Sequence, residues 1–124
     1  MMQYARIEDP PVPIMHGEVI NPIRQISKKG PAKLDTGSAV TVIPEEWVDC
    51  LKLMPKGTLY VEDFEGNTYQ RRTYRVHISL DSEKFQWVEI TANKRNNILV
   101  GRNVLNNVKL ILDGKNLAFE MIDP

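Results

Sequence analysis

The segment Leu34-Asp35-Thr36-Gly37-Ser38 carries the most chemical potential in this chain. An acid at a strand end, followed by a small hydroxyl residue and a glycine, forms a tight turn that presents a carboxylate. Glycine lets a second backbone come close, and the threonine and serine hydroxyls can hydrogen-bond a carboxylate or a neighbouring chain. Such turns are common in β proteins, so the surroundings decide the meaning. Other chemistries lack their residues. His16, His77 and the lone Cys50 are far apart in sequence and match no metal-ligand spacing, so no metal or cofactor is expected. His77 falls on the wet side of a strand, out of place as the base for a serine nucleophile. There is no Gly-rich phosphate loop.

The elements that must position Asp35 read as short strands. Pro10, Pro11, Pro13, Pro22 and Pro31 confine the first third to strand ends, edges and loops. Between them Ile14–Ile20 and Ile23–Ile26 read as strands, and Lys28-Lys29-Gly30-Pro31 as a turn into a further strand ending near Leu34. The β-branched run Val40–Ile43 predicts a strand. Pro44-Glu45-Glu46 then predicts a helix of two turns through Leu51, with acids favouring its N-terminal dipole. Leu59–Asp63 and Thr68–Arg72 flank the polar tip Phe64-Glu65-Gly66-Asn67 as a hairpin. Tyr74, Val76, Ile78 and Leu80 alternate with polar residues and pair with Phe85–Thr91 in a second hairpin. Ile98-Leu99-Val100-Gly101 is an apolar strand stopped by glycine, followed by a short helix over 102–107. Lys109–Leu112 and Leu117–Ile122 form a last hairpin. The pattern predicts an all-β domain with a barrel or sandwich core and two short helices, near 45–51 and 102–107.

The chain's 124 residues suit one domain, 1–124, with 1–13 as an irregular N-terminal arm. Apolar residues make up 42% and charged residues 26%, the balance of a globular protein able to bury a core without staples. Sixteen basic and sixteen acidic residues give zero formal net charge, which argues against nucleic acid or an anionic membrane as partner and favours self-association. The basic pairs Lys28-Lys29, Arg71-Arg72 and Lys94-Arg95 are scattered and read as solvated surface. One cysteine excludes an intrachain disulfide, and neither a signal-peptide run nor a membrane span is visible; a cytoplasmic protein is expected.

Taken in order, Asp35-Thr36-Gly37-Ser38, the hairpin with its polar glycine tip, and Ile98-Leu99-Val100-Gly101-Arg102-Asn103 resemble the retropepsin family of single-lobe aspartic proteases. The likeness runs from about Ile14 to Ile122. Bacterial-type members look nearest, because Leu110-Ile111-Leu112-Asp113-Gly114 and the strand after it are similar to their C-terminal hairpin. The resemblance implies a retropepsin-like acid-protease barrel and an aspartic endopeptidase acting on extended polypeptide. Its catalytic residue would be Asp35, supported by Thr36, Gly37 and Ser38. Phe64, Glu65, Gly66 and Asn67 would be the tip of a substrate-binding flap, and Ile98, Leu99 and Val100 an apolar substrate wall. One chain carries one such loop, so the carboxylate pair requires a homodimer, each Thr36 hydroxyl bonding across to the other loop.

Three departures from the family follow. Ala39 stands where retroviral enzymes have an acid that pairs with the arginine of the Gly-Arg-Asn segment, so Arg102 needs another partner. Ser38 replaces the usual retroviral alanine; a hydroxyl donating to Asp35 would make the wild type's pH optimum more acidic than that of Ser38→Ala. Lys33 lies two residues before Asp35 and is expected to point outward to solvent. The competing reading is a catalytically inactive or very narrow-specificity barrel that serves as a dimerisation or peptide-binding module.

Overall fold

A computed structural model describes residues 1–122. Ten strands and two brief helices follow in the order β1 (Met2–Gln3), β2 (Ile14–Ile20), β3 (Ser27–Leu34), β4 (Thr41–Pro44), α1 (Glu45–Cys50), β5 (Gly57–Glu62), β6 (Thr68–Leu80), β7 (Glu83–Asn93), β8 (Ile98–Val100), α2 (Arg102–Leu105), β9 (Lys109–Asp113) and β10 (Ala118–Ile122). The chain is all-β, as its patterning predicts. Six strands close on themselves in the order β2-β3-β8-β4-β7-β6, with β6 pairing back onto β2; β5 adds to the outer part of β6. Closure leaves no free edge in the ring.

Alternation builds the core. Val76, Ile78 and Leu80 of β6, Ile90 of β7, and Ile98 and Val100 of β8 are at most 1% exposed and meet Val19 and Ile43 inside the barrel. Each such side chain contributes about 1.5–3 kcal/mol relative to exposure. The β3–β8 and β4–β7 ladders are parallel, with Leu34 beside Val100 and Ile43 beside Ala92. Short β8 therefore lies between β3 and β4, the strands on either side of the Asp35 turn.

Two readings of the proline-rich region differ from the structure. Residues 22–24 form a turn in place of a strand over 23–26, because the Asn21 side-chain oxygen accepts the backbone N–H groups of Ile23 and Arg24 and closes the chain on itself. Nor does the chain turn at 28–31: β3 runs straight through Gly30-Pro31. Leu34 donates its N–H towards β2 and Asp35 towards β8, so by alternation the missing N–H of Pro31 faces the β8 side. There β8 begins only opposite Ala32, and no ladder bond is lost. The second helix is also shorter than its sequence suggests, with 106–107 in a turn.

A second sheet, β1-β10-β9, packs Phe119 into the core. No helix among the described residues is long and apolar enough to cross a membrane.

Candidate active site

Asp35 leaves the end of β3 with its N–H still donated to the Val100 carbonyl oxygen at 2.9 Å, so the barrel wall fixes its backbone. The chain then turns: the Ser38 N–H donates to the Asp35 carbonyl oxygen at 3.2 Å, and the Gly37 N–H to Asp35 Oδ1 at 2.9 Å. That second bond orients the carboxylate and leaves Oδ2 free of hydrogen bonds among the described residues. Asp35 is half-buried, whereas Thr36 and Gly37 are exposed. The Thr36 hydroxyl has no acceptor among the described residues.

The far side of the turn is clamped to α2. The Arg102 N–H donates to the Ser38 carbonyl oxygen at 2.8 Å, the Asn103 N–H to that of Ala39 at 3.3 Å, and Arg102 Nη1 to that of Thr36 at 2.9 Å. With alanine at 39, the arginine thus holds the loop through a backbone carbonyl. Behind it, the fully buried Thr41 hydroxyl accepts the Gly101 N–H at 3.0 Å and donates to Asn103 Oδ1 at 2.8 Å, while Asn103 Nδ2 donates to the Glu89 carbonyl oxygen at 2.7 Å. Gly101 has to be glycine on packing grounds: a Cβ there would lie 2.6 Å from the Val40 carbonyl carbon and oxygen. Loop, β8 and α2 form one hydrogen-bonded block.

Ser38 does not do what its position suggested. Its hydroxyl donates to the Val40 carbonyl oxygen at 2.7 Å, which uses its single proton and leaves none for Asp35. It supports the loop's backbone and not the acid. The apolar wall narrows in the same way. Ile98 and Val100 are fully buried in the barrel, because alternate residues of a strand face opposite ways; Leu99 alone of the three lies on the outer face, beside Lys33.

Charged groups from the N-terminal arm and from the loop before β8 lie on the same side of the barrel as Asp35 and interact with one another. Lys33 is not free in solvent: its Nζ pairs with Glu8 at 2.9 Å, tying the N-terminal arm to β3. Arg95 lies in the loop before β8, its Nε and Nη2 held by Asn97 Oδ1 at 2.9 and 2.7 Å. Burial lowers its pKa, and the nearby charges of Asp35 and Glu8 partly offset this by favouring the cation. In sequence Lys94-Arg95 is one basic pair among several, and only the folding back of 94–97 brings Arg95 to the acid.

The β5–β6 hairpin ends in a turn at 64–66, with Gly66 at φ +83° and the Phe64 side chain fully in solvent. Asp63 organises this tip. Its carboxylate accepts the N–H groups of Glu65 and Asn67, both at 2.9 Å, the Asn67 side-chain amide at 3.3 Å and the Tyr69 hydroxyl at 3.1 Å. Desolvation works to raise its pKa, yet these bonds together outweigh it and hold the carboxyl below the usual aspartate value. His77 lies elsewhere, on the β6–β7 hairpin, where its Nδ1 accepts the Trp87 N–H at 3.1 Å. No group of three metal-binding side chains occurs among the described residues.

Solved structures share this arrangement of strands. A retropepsin-like aspartic protease from Rickettsia conorii superposes with a TM-score of 0.62 at 16% identity, over 95% of this chain and 86% of that one. The fold is retropepsin-like. The EIAV protease, solved with the inhibitor HBY-793, aligns at TM-score 0.56 and 14% identity over 85% of this chain and 92% of its own. A foamy viral protease-reverse transcriptase bound to an RNA/DNA hybrid aligns at TM-score 0.59 and 17% identity; the match covers 77% of this chain and 12% of that polypeptide. No family model and no curated protein matches the sequence.

Proposed function

We propose that this retropepsin-like domain is an aspartic endopeptidase, active as a homodimer on extended polypeptide, with Asp35 of each protomer forming the catalytic pair. The observation that carries the reading is the Asp35 turn itself. Within a retropepsin-like barrel it holds a carboxylate by one oxygen, flanked by exposed Thr36 and Gly37, at the point where the loop is clamped to α2.

The chemistry follows from two like charges at close range. Carboxylates about 3 Å apart cannot both ionise, so the pair shares a proton, the general pattern of aspartic proteases. The ionised member removes a proton from water as the oxygen attacks the scissile carbonyl; the protonated member donates to the carbonyl oxygen. Collapse of the tetrahedral intermediate returns a proton to the leaving amine and breaks the C–N bond. No cofactor or metal takes part. Each Thr36 hydroxyl, without an acceptor among the described residues, bonds across to the partner's loop. The hairpin tip Phe64–Asn67 is the flap, closing over a substrate that lies extended like an added strand. Leu99 contributes the apolar part of the wall, with Lys33, Glu8 and Arg95 supplying a charged part. Wild type cleaving a mixed peptide library while Asp35→Asn does not would support this reading; cleavage persisting in Asp35→Asn would refute it.

A further inference from the structure

Alternation along β3 sends Lys33 and Asp35 to the same side of the strand, and Leu99, the β8 partner of Lys33, shares that face. Asn97, two residues before Leu99, holds Arg95 at the start of β8. Its Oδ1 accepts Arg95 Nε at 2.9 Å and Nη2 at 2.7 Å, and its carbonyl oxygen accepts Nε at 3.0 Å. One edge of the guanidinium is thereby filled. The other end, Nη1 and the second N–H of Nη2, has no acceptor among the described residues, and Arg95 makes no ion pair among them. The acids nearby are engaged: Glu8 gives both oxygens to Lys33 Nζ, at 2.9 and 3.1 Å, and Asp35 Oδ1 takes the Gly37 N–H. Arg95 is thus a half-buried cation with two parallel donors open and no counter-ion, an arrangement that is costly until a carboxylate arrives.

We propose that Arg95 selects acidic substrates, pairing through Nη1 and Nη2 with the carboxylate of a glutamate or aspartate next to the cleaved bond. The inference rests on the protease reading above and adds the substrate class to it. An extended peptide lying over Asp35 turns alternate side chains onto the face of Leu99 and Lys33. Leu99 covers the methylene groups of a glutamate there, and the open end of Arg95 takes its two oxygens. Lys33 does not compete, because Glu8 already occupies it. A lysine or arginine in the same place would meet like charge. The flat guanidinium end matches a carboxylate by two parallel bonds, a fit that a lysine ammonium does not reproduce.

Paired peptides test it on the full chain: extended sequences that differ only in Glu, Gln, Leu or Lys at each position flanking the cleaved bond. At about pH 6, where a peptide glutamate is ionised, kcat/KM for Glu should exceed that for Gln at one such position by about tenfold, the worth of a hydrogen bond to a charged group. The ratio should fall towards one as pH drops through about 4.3, where the glutamate itself takes up a proton. Effects of pH on the catalytic step are common to both peptides and cancel in the ratio. Arg95→Gln should bring the Glu-to-Gln ratio to one, and Arg95→Glu should turn the preference towards Lys. Circular dichroism confirms folding, and Arg95→Gln keeps the test decisive if charge reversal unfolds the loop.

Equal rates for Glu and Gln at every flanking position, or a Glu preference that survives Arg95→Gln, would overturn the proposal and leave the protease reading standing. Where wild type cleaves none of the peptides, their binding, read by fluorescence anisotropy of labelled forms, decides. Tighter binding of the Glu peptide that Arg95→Gln abolishes would sink the protease reading and keep Arg95 as the group that recognises the acid. Equal binding of the Glu and Gln peptides would overturn the role of Arg95 as well.

Discussion

Arg102 donates from Nη1 to the carbonyl oxygen of Thr36 at 2.9 Å, joining the start of α2 to the residue that follows the candidate catalytic acid. The contact replaces an ion pair that Ala39 cannot make, and it changes what is held. A carboxylate partner would anchor a side chain, whereas a carbonyl anchors the backbone of the turn itself. Removing the guanidinium in Arg102→Ala should cost about 1 kcal/mol of stability, as a hydrogen bond open to solvent does. It should also lower kcat more than it raises KM, because it loosens the acid and not the substrate surface. Urea unfolding alongside steady-state kinetics checks this; unchanged kcat would show that the turn holds its shape without the arginine.

Behind that clamp, Thr41→Val leaves the Gly101 N–H without its acceptor inside the protein. A buried, unsatisfied donor costs about 1–3 kcal/mol. The midpoint of chemical denaturation should fall accordingly, and a Thr41→Ser variant should recover most of the loss. Equal midpoints for valine and wild type would contradict the network.

Ser38→Ala gives the opposite result from the one its place in the sequence suggests. Because the hydroxyl proton goes to Val40, the variant should lose about 1 kcal/mol of stability while its pH–rate profile stays superimposable on wild type. A profile displaced towards higher pH would mean that the hydroxyl reaches Asp35 after all.

At the hairpin tip, the Asp63 carboxyl titrates lower in the folded turn than in an open chain. The tip's order is therefore fully present above the ordinary aspartate value of 3.8 and is lost as pH falls through the lowered folded value. Following the amide resonances of Glu65 and Asn67 with pH should show them shifting together, with a midpoint below 3.8. Asp63→Asn should abolish the transition. A midpoint at or above the ordinary value would show that the bonds to Asp63 do not favour its ionised form.

How much of this could be read from residue order depends on the range of the interaction responsible. The hairpins at Phe64–Asn67 and Asp113–Asn116 are local: alternating strands on either side of polar turns specify them without help from the rest of the chain. The Asp35 turn is legible for the same reason. Gly30-Pro31 looks like a turn in sequence because a proline's fitness for a strand depends on which side the neighbouring strand lies, and that is set by β8 nearly seventy residues later. For Ser38, two acceptors lie within a few residues, Asp35 three before it and Val40 two after, and only the loop's path chooses between them. Arg95 and Glu8 reach the site through loop and arm placement, for which a pair of basic residues or an acid among prolines carries no signal. Buried Ile98 and Val100 against outward Leu99 follow from simple alternation, which an apolar run in a short strand conceals.

The most direct measurement is cleavage of a mixed peptide library from about pH 3 to about pH 7 by wild type beside Asp35→Asn, each over a dilution series. The account predicts cleavage by wild type that falls faster than protein concentration as dimers dissociate. In the variant, activity should drop by at least about 100-fold at every pH, with its fold and dimer retained. Cleavage that survives in Asp35→Asn, or wild-type cleavage per chain that stays constant as the protein becomes monomeric, would contradict a site made from two Asp35 carboxylates.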